Sequence, residues 1–263
     1  MEQQNFEPMS IGRILDRAFR LYRHNFVRFI AIIALVQVPI TLASVAIQLS
    51  STGTTPTSPR QPSAFAIVAG VVGGLLFWLG QSFSNAALIK SVSEAYRGND
   101  VTVGQAYRYV LPQLLTIVAV GILTGIIVMV GFALCVIPGI IFGIWLALAV
   151  QAVVVEDAGV FEAMKRSKSL VSGNRGKVLG LGVILWVLAL LMNLGTTQGA
   201  VQLAQMVNIQ EVRLLIQPLS QMVGRVIITP ITAGAWILLY YDLRIRKEGF
   251  DLEMLASQMG DEP

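Results

Sequence analysis

Apolar residues run along this chain in long blocks separated by short basic segments, not in the stripes of a soluble amphipathic fold. A helix crossing about 30 Å of hydrocarbon needs about 20 apolar residues. Six segments reach that length: Phe29–Leu49, Ala64–Ile89, Leu114–Leu134, Ile137–Val155, Val178–Leu194 and Leu219–Tyr241. The third and fourth share one block, Leu114 to Val155, that contains no charged residue. As a single helix this block would run about 60 Å, twice the bilayer, so it must turn back. Ile137-Pro138-Gly139 supplies the break, because proline ends a helix and glycine allows the turn, and a tight hairpin is expected at the far membrane face. The pattern predicts an all-α, polytopic integral membrane protein with six transmembrane helices. It forms a single membrane domain: a lead-in over 1–28, the bundle over 29–241 and a tail over 242–263.

Composition agrees. Of 263 residues, 55% are hydrophobic and only 13% charged, against about a quarter charged in a soluble domain. The net charge of +4 does not mark a nucleic-acid binder, since the basic residues border the apolar spans. Sixteen of the nineteen lie on one side: five before the first span, three between the second and third, five between the fourth and fifth, three in the tail. The opposite side holds Arg60 and Arg213, and Arg225 lies within the sixth span. By the positive-inside rule the basic side is cytoplasmic, with both termini inside, which predicts a multi-pass protein of the cell (inner) membrane. Ser44-Val45-Ala46 has the look of a signal-peptide cleavage site, but the polar lead of about 28 residues and Pro39 argue that the first span is retained. One cysteine, Cys135, and one histidine, His24, leave no disulfide, thiolate cluster or histidine pair, and no cofactor is expected.

The lead-in carries a helical pattern of its own. After Ser10, a candidate N-cap, apolar residues recur at Ile11, Ile14, Leu15, Ala18, Phe19, Tyr22 and Phe26. This helix is expected to lie in the inner interface, with Arg13, Arg17, Arg20 and Arg23 toward anionic lipid headgroups. Arginine pairs bidentately with phosphate, and each basic residue near an anionic surface contributes about 1 kcal/mol. The alternative is that these arginines only set topology and the helix packs against the bundle. Similar lead-ins at Val103–Tyr109 and Val160–Arg166 point to three repeats of a surface helix followed by a membrane hairpin. Ser50–Ser63, rich in Ser, Thr and Pro, reads as an irregular linker. Gly195–Pro218 reads either as a helix on the outer surface or as an extension of the flanking spans.

Several residues inside the spans invite a functional reading beside a structural one. Gly70/Gly74, Gly121/Gly125 and Gly139/Gly143 recur four apart, a spacing that lets helices approach closely, within the monomer or in a homo-oligomer. Arg225 is an intramembrane charge and so a candidate polar site, but it lies near the outer start of its span, where its side chain can snorkel outward. Gln37, Gln81, Asn85, Gln151 and Asn193 either line a polar path or serve as interhelical hydrogen-bond partners. The absence of Asp, Glu, Lys and His at mid-membrane argues against proton-coupled transport and leaves a passive or lipid pathway open. Gly173–Lys177 imitates a phosphate loop, but its first glycine is missing and Val178 follows the lysine, so a basic turn suffices. Glu156-Asp157 is expected to begin the next surface helix and not to hold metal.

Three stretches together resemble a known family: Ser10–Arg23, the Ile137-Pro138-Gly139-Ile140 turn followed by Val155-Glu156-Asp157, and Tyr240–Gly249. They are similar to the membrane domain attached to some bacterial glycerophosphoryl diester phosphodiesterases, which also occurs alone in uncharacterised membrane proteins. In those enzymes catalysis belongs to a separate soluble barrel with paired histidines. With His24 alone and no room for the barrel, the resemblance implies the membrane domain without the activity.

Two functions follow as expectations. The first is a non-enzymatic protein with an accessory or organising role among lipids or partner membrane proteins. The second is a transporter or pathway for a lipid or small amphipathic molecule, which a polar cavity reaching the midplane would favour. The orientation has a direct test. Cysteines placed in Ser50–Ser63 should react with an impermeant thiol reagent in intact cells, and cysteines in Lys165–Lys177 should not. Labelling of the second set would reverse the topology.

Overall fold

The computed structural model of the protein describes residues 9–51, 64–207 and 209–260. Among the described residues there are ten α-helices and no strand: α1 Ile11–His24, α2 Phe26–Ser51, α3 Ala64–Tyr96, α4 Val103–Val110, α5 Leu114–Leu134, α6 Val136–Leu146, α7 Ala149–Glu156, α8 Val160–Val171, α9 Arg175–Met206 and α10 Gln210–Gly260. Six stretches are long and apolar enough to cross a membrane: within α2, α3, α4–α5, α6–α7, α9 and α10. The protein is an all-α, multi-pass membrane protein. A short helix precedes a hairpin three times: α1 before α2–α3, α4 before α5 and α6–α7, and α8 before α9–α10.

Most of the linker expected over Ser50–Ser63 lies outside the described residues. Gly195–Pro218 extends the flanking spans: α9 continues to Met206 and α10 starts at Gln210.

The central hairpin turns at Cys135, three residues earlier than Pro138, through an extended backbone at φ −172° and ψ 158°. Pro138 then falls in the first turn of α6, where an N–H would have no helical partner in any case. The close approach comes from glycine. A Cβ on Gly131 would lie 2.9 Å from the Gly139 Cα, and one on Gly139 would lie 2.5 Å from the Phe132 ring.

The fourth span is not the continuous Ile137–Val155 helix expected from its composition. It breaks between α6 and α7 at Ala147-Leu148, a place with neither proline nor glycine. The break persists because α8 answers it. Ser167, fully buried, donates its hydroxyl to the Trp145 carbonyl oxygen (2.7 Å) and accepts the Leu148 N–H (3.1 Å). Two backbone groups that would be orphaned in an apolar surround are thereby paired.

Burial is concentrated at the basic end of the bundle. In α3, residues 86–93 are buried and residues 70–77 are exposed; in α10, Ile237–Leu243 are buried while Leu219 and Val223 are exposed. The three short helices supply much of this core: Ile14, Ala18 and Tyr22 from α1, Ala106, Tyr107 and Val110 from α4, Ala163, Ser167 and Leu170 from α8. The Tyr107 hydroxyl donates to the Ile32 carbonyl oxygen in α2 at 2.6 Å. The expected placement of α1, apolar face in the leaflet, is therefore corrected: that face packs on protein. Ala18 lies against Gly234 of α10, and Ile11 reaches Gly180 of α9. Phe19 is the large apolar side chain that α1 leaves outward.

Replacing Ser167 by alanine should lower stability by roughly 1–3 kcal/mol, because it strands the Leu148 N–H and the Trp145 carbonyl together. Thermal unfolding in detergent should show the loss, whereas Ser169→Ala, at an exposed position on the same helix, should leave the midpoint in place.

Candidate functional site

Two polar assemblies stand at opposite ends of the bundle. At the basic end, α9 and α10 hold the N-terminal segment. Asp242, 3% exposed, accepts the Met9 N–H at 2.7 Å, Arg246 Nε at 3.0 Å and Lys177 Nζ at 2.5 Å. Lys177 also donates to the Met9 carbonyl oxygen. Its helix begins after Gly173 at φ +90°, so the segment that imitates a phosphate loop is a turn feeding an ion pair.

Glu156 and Asp157 do not begin the next helix as expected. Glu156 ends α7, Asp157 takes a left-handed conformation at φ 55°, and Gly159 caps α8. Glu156 receives Arg166 through Nε and Nη2, each at 2.9 Å, and Arg244 at 3.5 Å; Glu248 joins both arginines. The Glu156 hydrogen bonds raise the pKa of the Arg166 guanidinium above the ordinary arginine value. Tyr241 bonds Ser93 at 2.6 Å and stacks on Tyr96, over which Arg17 lies at 5.2 Å. Sequence reasoning missed this assembly, because its members come from six segments and only the Tyr240–Glu248 run signals polar residues meeting an apolar helix.

Of the α1 arginines, Arg13, Arg20 and Arg23 are exposed, while Arg17 is half-buried against Tyr96 and Met9.

The second assembly is a cavity of about 590 Å³ between α2, α3 and α10. Its polar lining is Gln37, Thr41, Ser44, Gln221 and Arg225; Ile40, Leu76, Phe77 and Met222 form apolar walls, with Gly70 and Gly73 between them. Gln37 donates to Thr41 Oγ1 (3.4 Å) and accepts from Gln81 Nε2 (2.6 Å), so two amides from α2 and α3 close the floor. The Arg225 guanidinium lies over the Phe77 ring at 5.7 Å. Depth follows from helix rise. Arg225 lies about 25 Å along α10 from Asp242, and Gln37 about 13 Å along α2 from Arg28. The cavity thus runs from the end opposite the basic residues to roughly the middle of the span.

The structure joins Gln37, Gln81 and Arg225 and separates the other candidates. Asn85 and Asn193 are exposed on α3 and α9. Gln151 is buried in α7, its Oε1 without a hydrogen-bond partner among the described residues. The glycines divide too. A Cβ at Gly121 would lie 3.2 Å from the Trp78 ring and one at Gly139 would collide with Phe132, but a Cβ at Gly70, Gly74, Gly125 or Gly143 would meet nothing within 4 Å. Gly70 borders the polar cavity, and Gly143 borders an apolar groove of about 300 Å³ beside Trp186 and Trp236.

Comparison with known proteins gives a family and no activity. The chain is 32% identical over 127 residues to a UPF0259 membrane protein of Pectobacterium carotovorum subsp. carotovorum (strain PC1), and 29% identical over 127 residues to one of Sodalis glossinidius (strain morsitans). Each alignment covers 48% of this chain, and the chain spans about half the length of the curated relatives it matches. No solved structure matches. Residues 61–229 match the uncharacterised protein family UPF0259, a stretch that takes in the second to fifth spans and most of the cavity, and the chain belongs to that family.

Proposed function

We propose that this protein is non-enzymatic and organises lipids in a bacterial inner membrane, holding an amphipathic molecule in the cavity between α2, α3 and α10. One observation carries the reading: a cavity with both amide and arginine groups and apolar walls, set in the loosely packed half of a membrane bundle. A soluble metabolite would have no use for apolar walls at that depth, and a purely structural void would have no use for Arg225. The distribution of basic residues supports placing the packed end at the cytoplasmic face. There, exposed Arg13, Arg20 and Arg23 on α1 would face anionic headgroups, while the helix itself is held by protein. The likeness to the membrane domain of glycerophosphoryl diester phosphodiesterases brings no catalytic residue with it.

A second reading, a pathway for a lipid or amphipathic molecule, is favoured by the cavity's reach to roughly mid-span. Beyond Gln37 the way is filled by buried Ile33, Ile32 and Phe29 on α2 and by Leu238 and Tyr240 on α10. A pathway would require that core to part, whereas holding a lipid requires no movement. The holding reading is therefore preferred.

Purification of the full chain from native membranes in mild detergent, followed by native mass spectrometry, tests the proposal. One or more tightly retained amphipathic molecules are expected, reduced when Gly73→Leu fills the cavity. Retention of a protein partner with no bound amphiphile would replace lipid holding by partner organisation.

A further inference from the structure

Arg225 is exposed, and it differs from the ion-paired basic residues at the other end of the bundle. Lys90, Arg166, Lys177, Arg244 and Arg246 each have a carboxylate within 3.0 Å. Arg225 has none among the described residues; its described side-chain contact is the face of Phe77. A guanidinium carries five N–H donors in a planar fork that no cation–π contact can satisfy. At membrane depth an unpaired charge is costly, so an exposed guanidinium there takes its partners from outside the chain, from water or from an anionic ligand.

Resting on the lipid-holding reading, we infer that Arg225 binds the anionic phosphate headgroup of a lipid, with the lipid's acyl chain along the apolar wall of the cavity. Arg225 and Ser44 line the same cavity from α10 and α2, Arg225 about 25 Å along its helix from Asp242. That level is where a headgroup lies in the leaflet opposite the basic end. Gln221, one turn before Arg225 on α10, adds amide donors beside it. The Ser44 hydroxyl already donates to the Thr41 carbonyl oxygen, so it offers a phosphate only its acceptor side. Recognition therefore rests on Arg225 and Gln221, and the fork geometry of arginine matches two phosphate oxygens. Below them Ile40, Leu76 and Met222 present a hydrocarbon surface. The volume, about 590 Å³, lies within the range of small-molecule sites. Open space at Gly70 and Gly73 keeps the wall clear where any side chain would project. A free phosphate ion would satisfy the arginine but leave the apolar wall uncovered, which is why the lipid is the occupant.

The test uses the full chain in an uncharged detergent, with binding read by native mass spectrometry. Three probes separate the sources: dioctanoyl phosphatidylglycerol, dioctanoylglycerol with the same chains and no phosphate, and inorganic phosphate. Phosphatidylglycerol should bind at least about tenfold more tightly than the diacylglycerol, as a charge-assisted contact allows. Inorganic phosphate at equal concentration should not displace it. Arg225→Gln should bring phosphatidylglycerol down to the diacylglycerol level with the unfolding temperature unchanged, and Arg225→Lys should keep part of the preference. Gly73→Leu should weaken both lipids alike.

Equal binding of the two lipids by the native chain, or no change in Arg225→Gln, would overturn the headgroup assignment and leave lipid holding intact. Displacement by phosphate alone would turn the site into one for a free anion. Failure of either lipid to bind the native chain would overturn lipid holding and this inference together.

Discussion

A leucine gains nothing by leaving hydrocarbon for another leucine, and that constraint shapes this bundle. In water, burial drives helices together; in lipid, association has to come from close packing, hydrogen bonds and ion pairs. The spans accordingly present exposed apolar faces through much of their length, as at Leu75, Leu115, Met129 and Trp186. Apart from the close α5–α6 turn, burial is heaviest at the basic end, where the short helices α1, α4 and α8 fold back on the spans. Each contributes a buried alanine, Ala18, Ala106 and Ala163, all at or below 1% exposure, and Ala18 lies against Gly234 of α10. The fold is thus a packed base from which the spans extend.

Ion pairs hold that base, and their geometry explains why they are tolerable. Withdrawing charges from water costs several kcal/mol per ion unless geometry and additional hydrogen bonds compensate. Asp242 meets the condition with three donors, one of them the Met9 backbone. Glu156 meets it through the two-point contact of Arg166. Removing a single partner would leave a charge stranded, so each member matters more than its share of the attraction. The Asp242 cluster also joins the first described residues to the last span, which fixes α1 against α10. The arginines of α1 consequently stand on a rigid support, outward of the core.

The six spans were legible because hydrophobic length is a one-dimensional quantity, and so was the order of lead-in helix and hairpin, since helical spacing in α1 shows in consecutive residues. What the lead-in helices pack against was not legible. An apolar stripe reads the same whether lipid or protein covers it, and only the glycines at 180 and 234 betray the closeness of protein. The break at Ala147-Leu148 left no local mark, because its cause is Ser167 on another helix. Among the polar candidates, Gln37, Gln81 and Arg225 could be named but not joined. Helical phase places Asn85 about one turn from Gln81, yet it faces outward while Gln81 bonds across to α2.

The glycines show why such spacing carries two opposite meanings in a membrane. A missing side chain permits a neighbouring helix to come close, as at Gly131 and Gly139, where a Cβ would collide. It equally permits nothing to come close, as at Gly70, Gly73 and Gly143, which border the cavity and the groove. The difference lies in what confronts the glycine. A one-residue turn at Cys135 forces α5 and α6 together, while α2, α3 and α10 meet from the basic end up to the Gln37–Gln81 bond and leave the cavity beyond it. The cavity is then a consequence of where the packing stops. With Gln37 bonded to Gln81 as its floor and an arginine without a carboxylate near its mouth, it combines apolar walls, amides and a charge that no described carboxylate meets.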